Sequence, residues 1–105
     1  MPGIDLNYFI RQANKLSEKI EQRKKELADT TVEGSAGDGR IVVAVNGVQE
    51  MKSIKIDPTV IDPKDPAMLE DLITAAVNAA LTQSRQQMQA EMSKISGGIK
   101  IPGIT

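Results

Sequence analysis

The sequence predicts an α+β fold: one α-β-β-β-α domain in which a three-stranded antiparallel meander is flanked by two long helices. Three observations carry this expectation. Residues 5–29 hold apolar side chains at alternating spacings of three and four, with no Pro or Gly among them, which is the period of a helix. Residues 30–56 hold short β-branched runs separated by glycine turns, the pattern of a meander. Asp65-Pro66 then opens a second long apolar stripe that ends at Gly97-Gly98. A chain of 105 residues with no internal repeat is about one domain, so residues 1–105 are taken as a single unit.

In the first helix, about residues 5–29, the seam is Leu6, Phe9, Ala13, Leu16, Ile20 and Leu27, with one miss at Arg23. Asp5 is placed to cap it. At ~1.5 Å per residue it is roughly 37 Å long, more than so small a sheet can cover. Part of it should therefore project or pack on a partner. Strands follow at about residues 30–36, 40–46 and 51–56. The stretch GSAGDG over residues 34–39 forms the first turn. RIVVAVN is apolar on both faces, which places it at the centre of the sheet. Asn46-Gly47 predicts the second hairpin, because both residues tolerate positive φ.

Three Asp-Pro pairs, at Asp57, Asp62 and Asp65, mark turns and a helix start. The second helix, about residues 66–95, takes Asp65 as N-cap and Pro66 at its first position. Glu70 and Asp71 sit early in it, where the helix dipole favours negative charge. Leu69, Leu72, Ile73, Ala76, Val77, Ala80 and Leu81 form its apolar stripe, which Ser84, Met88, Met92 and Ile95 continue more thinly. Residues 97–105, with the segment IKIPGIT, are expected to be a loosely held tail.

Composition narrows the function. The chain has no Cys, no His and no Trp, with one Tyr and one Phe. Disulfides and thiolate metal sites are thereby excluded. The commonest general base and the strongest nucleophile are both missing, so no catalysis is expected. Stacking on single-stranded nucleic acid needs more aromatic surface than two rings provide. No cofactor, metal or small-molecule substrate is expected. The start MPGIDLNYFIRQ has no basic region followed by an apolar one, and no run is long enough to span a bilayer. Cytoplasm is the expected location, without a membrane partner. So few aromatics leave little bulk for a core, and a second chain is the natural cover for the remaining apolar surface.

The net charge of −1 hides an asymmetry. Residues 11–26 carry six cations, Arg11, Lys15, Lys19, Arg23, Lys24 and Lys25, against Glu18, Glu21 and Glu26, a net +3. The rest of the chain therefore carries −4. On a helical wheel Arg11, Lys15 and Lys25 face away from the seam, Lys19 lies to one side, and Arg23 and Lys24 flank it. Such a face is either a solvated surface laced with pairs such as Glu21–Lys25 or a row of phosphate contacts. The glycine stretch is read as a turn and not a phosphate loop, since it leads into a strand and lacks the following Lys-Ser/Thr. Asn78, in the second stripe, is either a buried residue that fixes register or an exposed residue at the stripe edge.

In order and spacing these pieces resemble the YbaB/EbfC family of nucleoid-associated proteins over essentially the whole chain. The matching features are RQANKLSEKIEQRKKEL, the turn at Gly37 and Gly39, Val43-Ala44-Val45 running into Asn46-Gly47, and Ile56-Asp57-Pro58. They continue with Leu69-Glu70-Asp71-Leu72, Ala75-Ala76 with Asn78, Gly97-Gly98 and Pro102-Gly103. The resemblance implies a tweezer-like homodimer, its sheets joined at the centre and its helices reaching outward. It also implies binding to double-stranded DNA with limited sequence preference, in the nucleoid. DNA contact would then fall to Arg11, Lys15, Lys19, Arg23, Lys24 and Lys25, with Arg85 and Lys94 as the only cations of the distal second helix. Packing within and between chains would use Leu16, Ile20, Val43, Val45, Asn78 and Leu81. The alternative is a dimeric adaptor that grips a helical partner, for which Met88 and Met92 offer an adaptable apolar surface.

Overall fold

The computed structural model describes residues 5–97. Its elements are α1 (Leu6–Ala28), β1 (Val32–Ala36), β2 (Ile41–Val45), β3 (Met51–Ile56), a short 3-10 turn (Pro58–Val60) and α2 (Pro66–Ser96). The expected order α-β-β-β-α is the observed one, with strand ends trimmed by one or two residues. The expectation for the tail falls largely outside the described residues.

The sheet is antiparallel in the order β1-β2-β3, so the apolar strand is central as its composition requires. Ile41, Val43 and Val45 point to one face and are fully buried. Their partners Ala36, Gly34 and Val32 in β1 share that face by register. The first half of α2 lies across it, and Ala76 and Ala80 are buried there with Val60. β3 is the opposite edge, exposed along all but its last residue.

Gly34 explains how α2 comes so close. A Cβ added there would lie 2.2 Å from the Ala80 amide nitrogen and 2.7 Å from the Ala76 carbonyl oxygen. Helix and strand meet backbone to backbone, which only a glycine facing two alanines permits.

The two turns differ. Between β1 and β2, Gly37, Asp38 and Gly39 all take positive φ, as the glycines foretell. Between β2 and β3 the expected location holds but its reason does not. Neither Asn46 nor Gly47 has positive φ, and Gln49, at φ 63°, takes that conformation instead. Asn46 is a bracket: its Oδ1 accepts from the amides of Val48 (3.1 Å) and Glu50 (2.9 Å), and its Nδ2 donates to Glu50 Oε1. Gly47 serves close approach, since its amide donates to the Leu27 carbonyl at 2.8 Å and a Cβ would strike that oxygen. Ser84 of α2 closes the corner by donating to the Asn46 carbonyl at 2.6 Å and accepting from Gln49 Nε2 at 3.0 Å. End of α1, corner of the sheet and middle of α2 are thus tied together.

Beyond Ser84, α2 leaves the sheet and runs antiparallel to α1, forming a two-helix arm. The molecule is consequently long and thin, 76 × 25 × 17 Å.

Candidate nucleic-acid interface

The arm is where the predicted cations lie, and its geometry sorts them. α1 starts cleanly because Asp5 Oδ1 accepts from the amides of Asn7 (3.0 Å) and Tyr8 (3.3 Å). From there to Leu27 only one face of the helix is covered. Leu16 and Ile20 are half-buried, lining a shallow groove with Met88 and Met92, and Leu27 is fully buried. Leu6, Phe9 and Ala13, expected to continue that seam, are exposed.

Arg23, the apparent miss in the seam, belongs to it. Its Nε donates to Glu91 Oε2 of α2 at 3.0 Å and its Nη1 pairs with Glu26. Lys94 Nζ reaches the other oxygen of Glu91 at 3.3 Å. Two cations and two carboxylates thereby neutralise one another at the junction of the helices. The hydrogen bond from Arg23 holds the Glu91 carboxyl below the usual glutamate range, against the opposing effect of desolvation and with further help from Lys94. Glu91 and then Glu26 raise the Arg23 guanidinium in turn. The i,i+4 pair expected between Glu21 and Lys25 is replaced by the i,i+3 pair Arg23–Glu26. Sequence patterning missed Glu91, since nothing along the chain links two residues 68 positions apart.

The remaining cations of α1 are free. Arg11, Lys15, Lys19, Lys24 and Lys25 are exposed, and none joins an ion pair among the described residues. At 100° per residue, Arg11, Lys15, Lys19 and Lys25 span about a third of the circumference, on the side away from the seam. Arg85 on α2 is exposed as well, beside Thr82. Of the packing residues, Val43 and Val45 lie in the core, Leu81 is half-buried, and Asn78 is exposed in the single chain.

The Asp-Pro carboxylates serve the backbone. Asp57, Asp62 and Asp65 accept from the amides of Thr59, Lys64 and Met68 at 2.9, 2.9 and 3.2 Å. The Thr59 amide holds the Asp57 carboxyl below its usual range. Among the described residues no helix is long and apolar enough to cross a membrane.

Known proteins share this architecture and this sequence. The model of the YbaB/EbfC DNA-binding family matches residues 1–99. A nucleoid-associated protein of Myxococcus xanthus is 71% identical over 105 residues, the whole of both chains. Another, from Anaeromyxobacter dehalogenans, is 50% identical over 101 residues, covering 96% of this chain and 98% of its own. The crystal structure of an uncharacterized protein from Helicobacter pylori has the same fold, with a TM-score of 0.75 at 17% identity over 84% of this chain and 92% of that one.

Proposed function

The chain belongs to the YbaB/EbfC DNA-binding family, and from that premise we propose that it is a homodimeric nucleoid protein that binds double-stranded DNA mainly through its phosphate backbone. The observation that carries this reading is the unpaired cationic face of α1, turned away from the seam and unobstructed along the arm. Phosphate contacts supply affinity without sequence information, which agrees with a surface of flexible lysines. Arg11, Lys15, Lys19, Lys24 and Lys25 make those contacts, with Arg85 at the edge. Arg23 ties the two helices of the arm together through Glu91, while Lys94, paired with Glu91 within α2, stays exposed and joins Arg85 at the edge.

The test is fluorescence anisotropy of a labelled duplex of unrelated sequence, at about 50 and 200 mM salt. Replacing Lys15, Lys19 and Lys25 together by Ala should weaken binding alike on all sequences. The slope of log K against log salt should fall by about 0.9 for each phosphate no longer neutralised. Unchanged affinity in the triple variant removes the assignment.

A second chain is favoured by the body of the molecule. The outer edge of β3 has no strand beside it among the described residues. Met51 and Ile54 on that strand, and Ile61 and Met68 beyond it, are exposed large apolar side chains. An open strand edge carrying apolar side chains invites pairing with another chain. A dimer would present two cationic helices to one duplex and so add avidity. Sedimentation at micromolar concentration should give twice the chain mass, and the mass of one chain would refute the dimer.

A further inference from the structure

The charged side of α1 carries one aromatic side chain. Counted at 100° per residue, Tyr8, Arg11, Lys15 and Lys19 fall within about 80° of the helix circumference, in a row about 16 Å long. Leu6 and Phe9 turn toward the seam side instead. The first helical turn, which sets this phase, is secured by the Asp5 carboxylate, which accepts from the Tyr8 amide at 3.3 Å. Tyr8 is 51% exposed and stands at the outer end of the row. Ser96, the last residue of α2, lines a groove with Leu16, about two turns further in, so α2 does not extend as far as Tyr8.

The ring of Tyr8 is engaged on one side. It meets the Phe9 ring edge to face, with centroids 5.8 Å apart and planes at 78°. That contact steadies the ring, so less side-chain freedom is lost when a ligand binds it. The side chain makes no hydrogen bond among the described residues, where the contact of Tyr8 with Asp5 is through its amide.

We propose that Tyr8 is a contact residue of the same face, its hydroxyl donating to a phosphate oxygen of the duplex beside those that Arg11 and Lys15 neutralise. Tyr8 takes this role only if α1 contacts a duplex as proposed above, and it extends that surface from charge to a neutral donor. Tyrosine is among the side chains that hydrogen-bond the phosphate and sugar oxygens of DNA. Such a contact adds affinity yet releases no counterion, unlike an ammonium group. It anchors the tip of the arm on the backbone without steepening the salt dependence.

Tyr8 is the one tyrosine of the chain, and there is no tryptophan, so the ultraviolet emission of the protein reports on this side chain alone. The full chain is titrated with an unlabelled duplex at about 50 mM salt, with free tyrosine in matching solutions to correct for absorption by DNA. Emission should change in step with binding followed by anisotropy. Saturated anisotropy with unchanged emission overturns the role of Tyr8 and leaves the duplex reading intact. No change in anisotropy removes the duplex reading and the role of Tyr8 with it. Tyr8→Phe then separates hydroxyl from ring, because it keeps the edge contact with Phe9. Affinity should fall about fivefold with the slope of log K against log salt unchanged, whereas Lys15→Ala should lower both. Native affinity in Tyr8→Phe overturns the proposal, and so does a loss of slope equal to that of Lys15→Ala.

Discussion

The body and the arm are built from the same two helices by opposite means. In the body, α2 meets β1 through Gly34, Ala76 and Ala80, side chains so small that the backbones themselves are in contact. In the arm, α2 meets α1 through Leu16, Ile20, Met88, Met92 and the Arg23–Glu91 pair, all long side chains and none fully buried. Close contact between rigid surfaces tolerates no added volume. A half-covered seam of flexible side chains tolerates a good deal. The body therefore fixes the fold, while the arm is free to spend its outer surface on charge.

The sharpest way to break this contrast is at Gly34. A methyl group there has nowhere to go, because its neighbours are main-chain atoms of Ala80 and Ala76. Gly34→Ala should destabilise the protein by about 3 kcal/mol in urea unfolding. A cost near zero would mean that helix and strand can part without loss. Next comes Ser84, whose hydroxyl is fully buried between the Asn46 carbonyl and Gln49. Ser84→Ala should cost about 1 kcal/mol, because the Asn46 carbonyl keeps only the Gln49 amide at 3.4 Å and Gln49 Nε2 only the Gly47 carbonyl at 3.2 Å. It should also speed exchange at the Gln49 amide, from which Ser84 Oγ accepts as well.

The smallest effect belongs to the arm and shows mainly in its pH dependence. Since Arg23 lowers the Glu91 pKa in the folded state, the ion pair contributes fully above the ordinary glutamate value of about 4.5 and is lost as pH falls through the lowered one. Arm amides near Arg23 and Glu91 should thus lose protection on acidification below that value, and Glu91→Gln should abolish this pH dependence. The readout must be local, because Asp57 is also held low and titrates in the body. An identical acid response in the variant would show that the pair does not join the helices.

What could be read from the sequence follows the same division. Helix caps at Asp5 and Asp65, the central strand and the apolar stripe of α2 are local patterns, and each was legible because its cause lies within a few residues. Gly34 was not legible: GSAGDG reads as one turn over residues 34–39, whereas the turn is confined to residues 37–40 and Gly34 lies within β1, where it meets α2 backbone to backbone. The Gln49 conformation is imposed by the bracket at Asn46 and the hydroxyl of Ser84, interactions that sequence order does not reveal. Cations were easy to enumerate along α1, yet their division into Arg23 in the seam and lysines in solvent depended on where α2 ran. The exposed start of the seam has the same origin, since periodicity specifies a face and says nothing of where its partner stops.

The corner at Asn46 has a mechanical consequence. It fixes Leu27 as a fulcrum, through the Gly47 amide on its carbonyl, and the rest of α1 is the lever. Lys15 lies twelve residues out, about 18 Å from the pivot, so a tilt of about 5° carries its backbone roughly 1.6 Å. That displacement is comparable to the range over which a hydrogen bond to phosphate forms or breaks. If α1 contacts phosphate as proposed, the placement of its charges against a duplex depends on angular tolerance at Gly47 and Ser84.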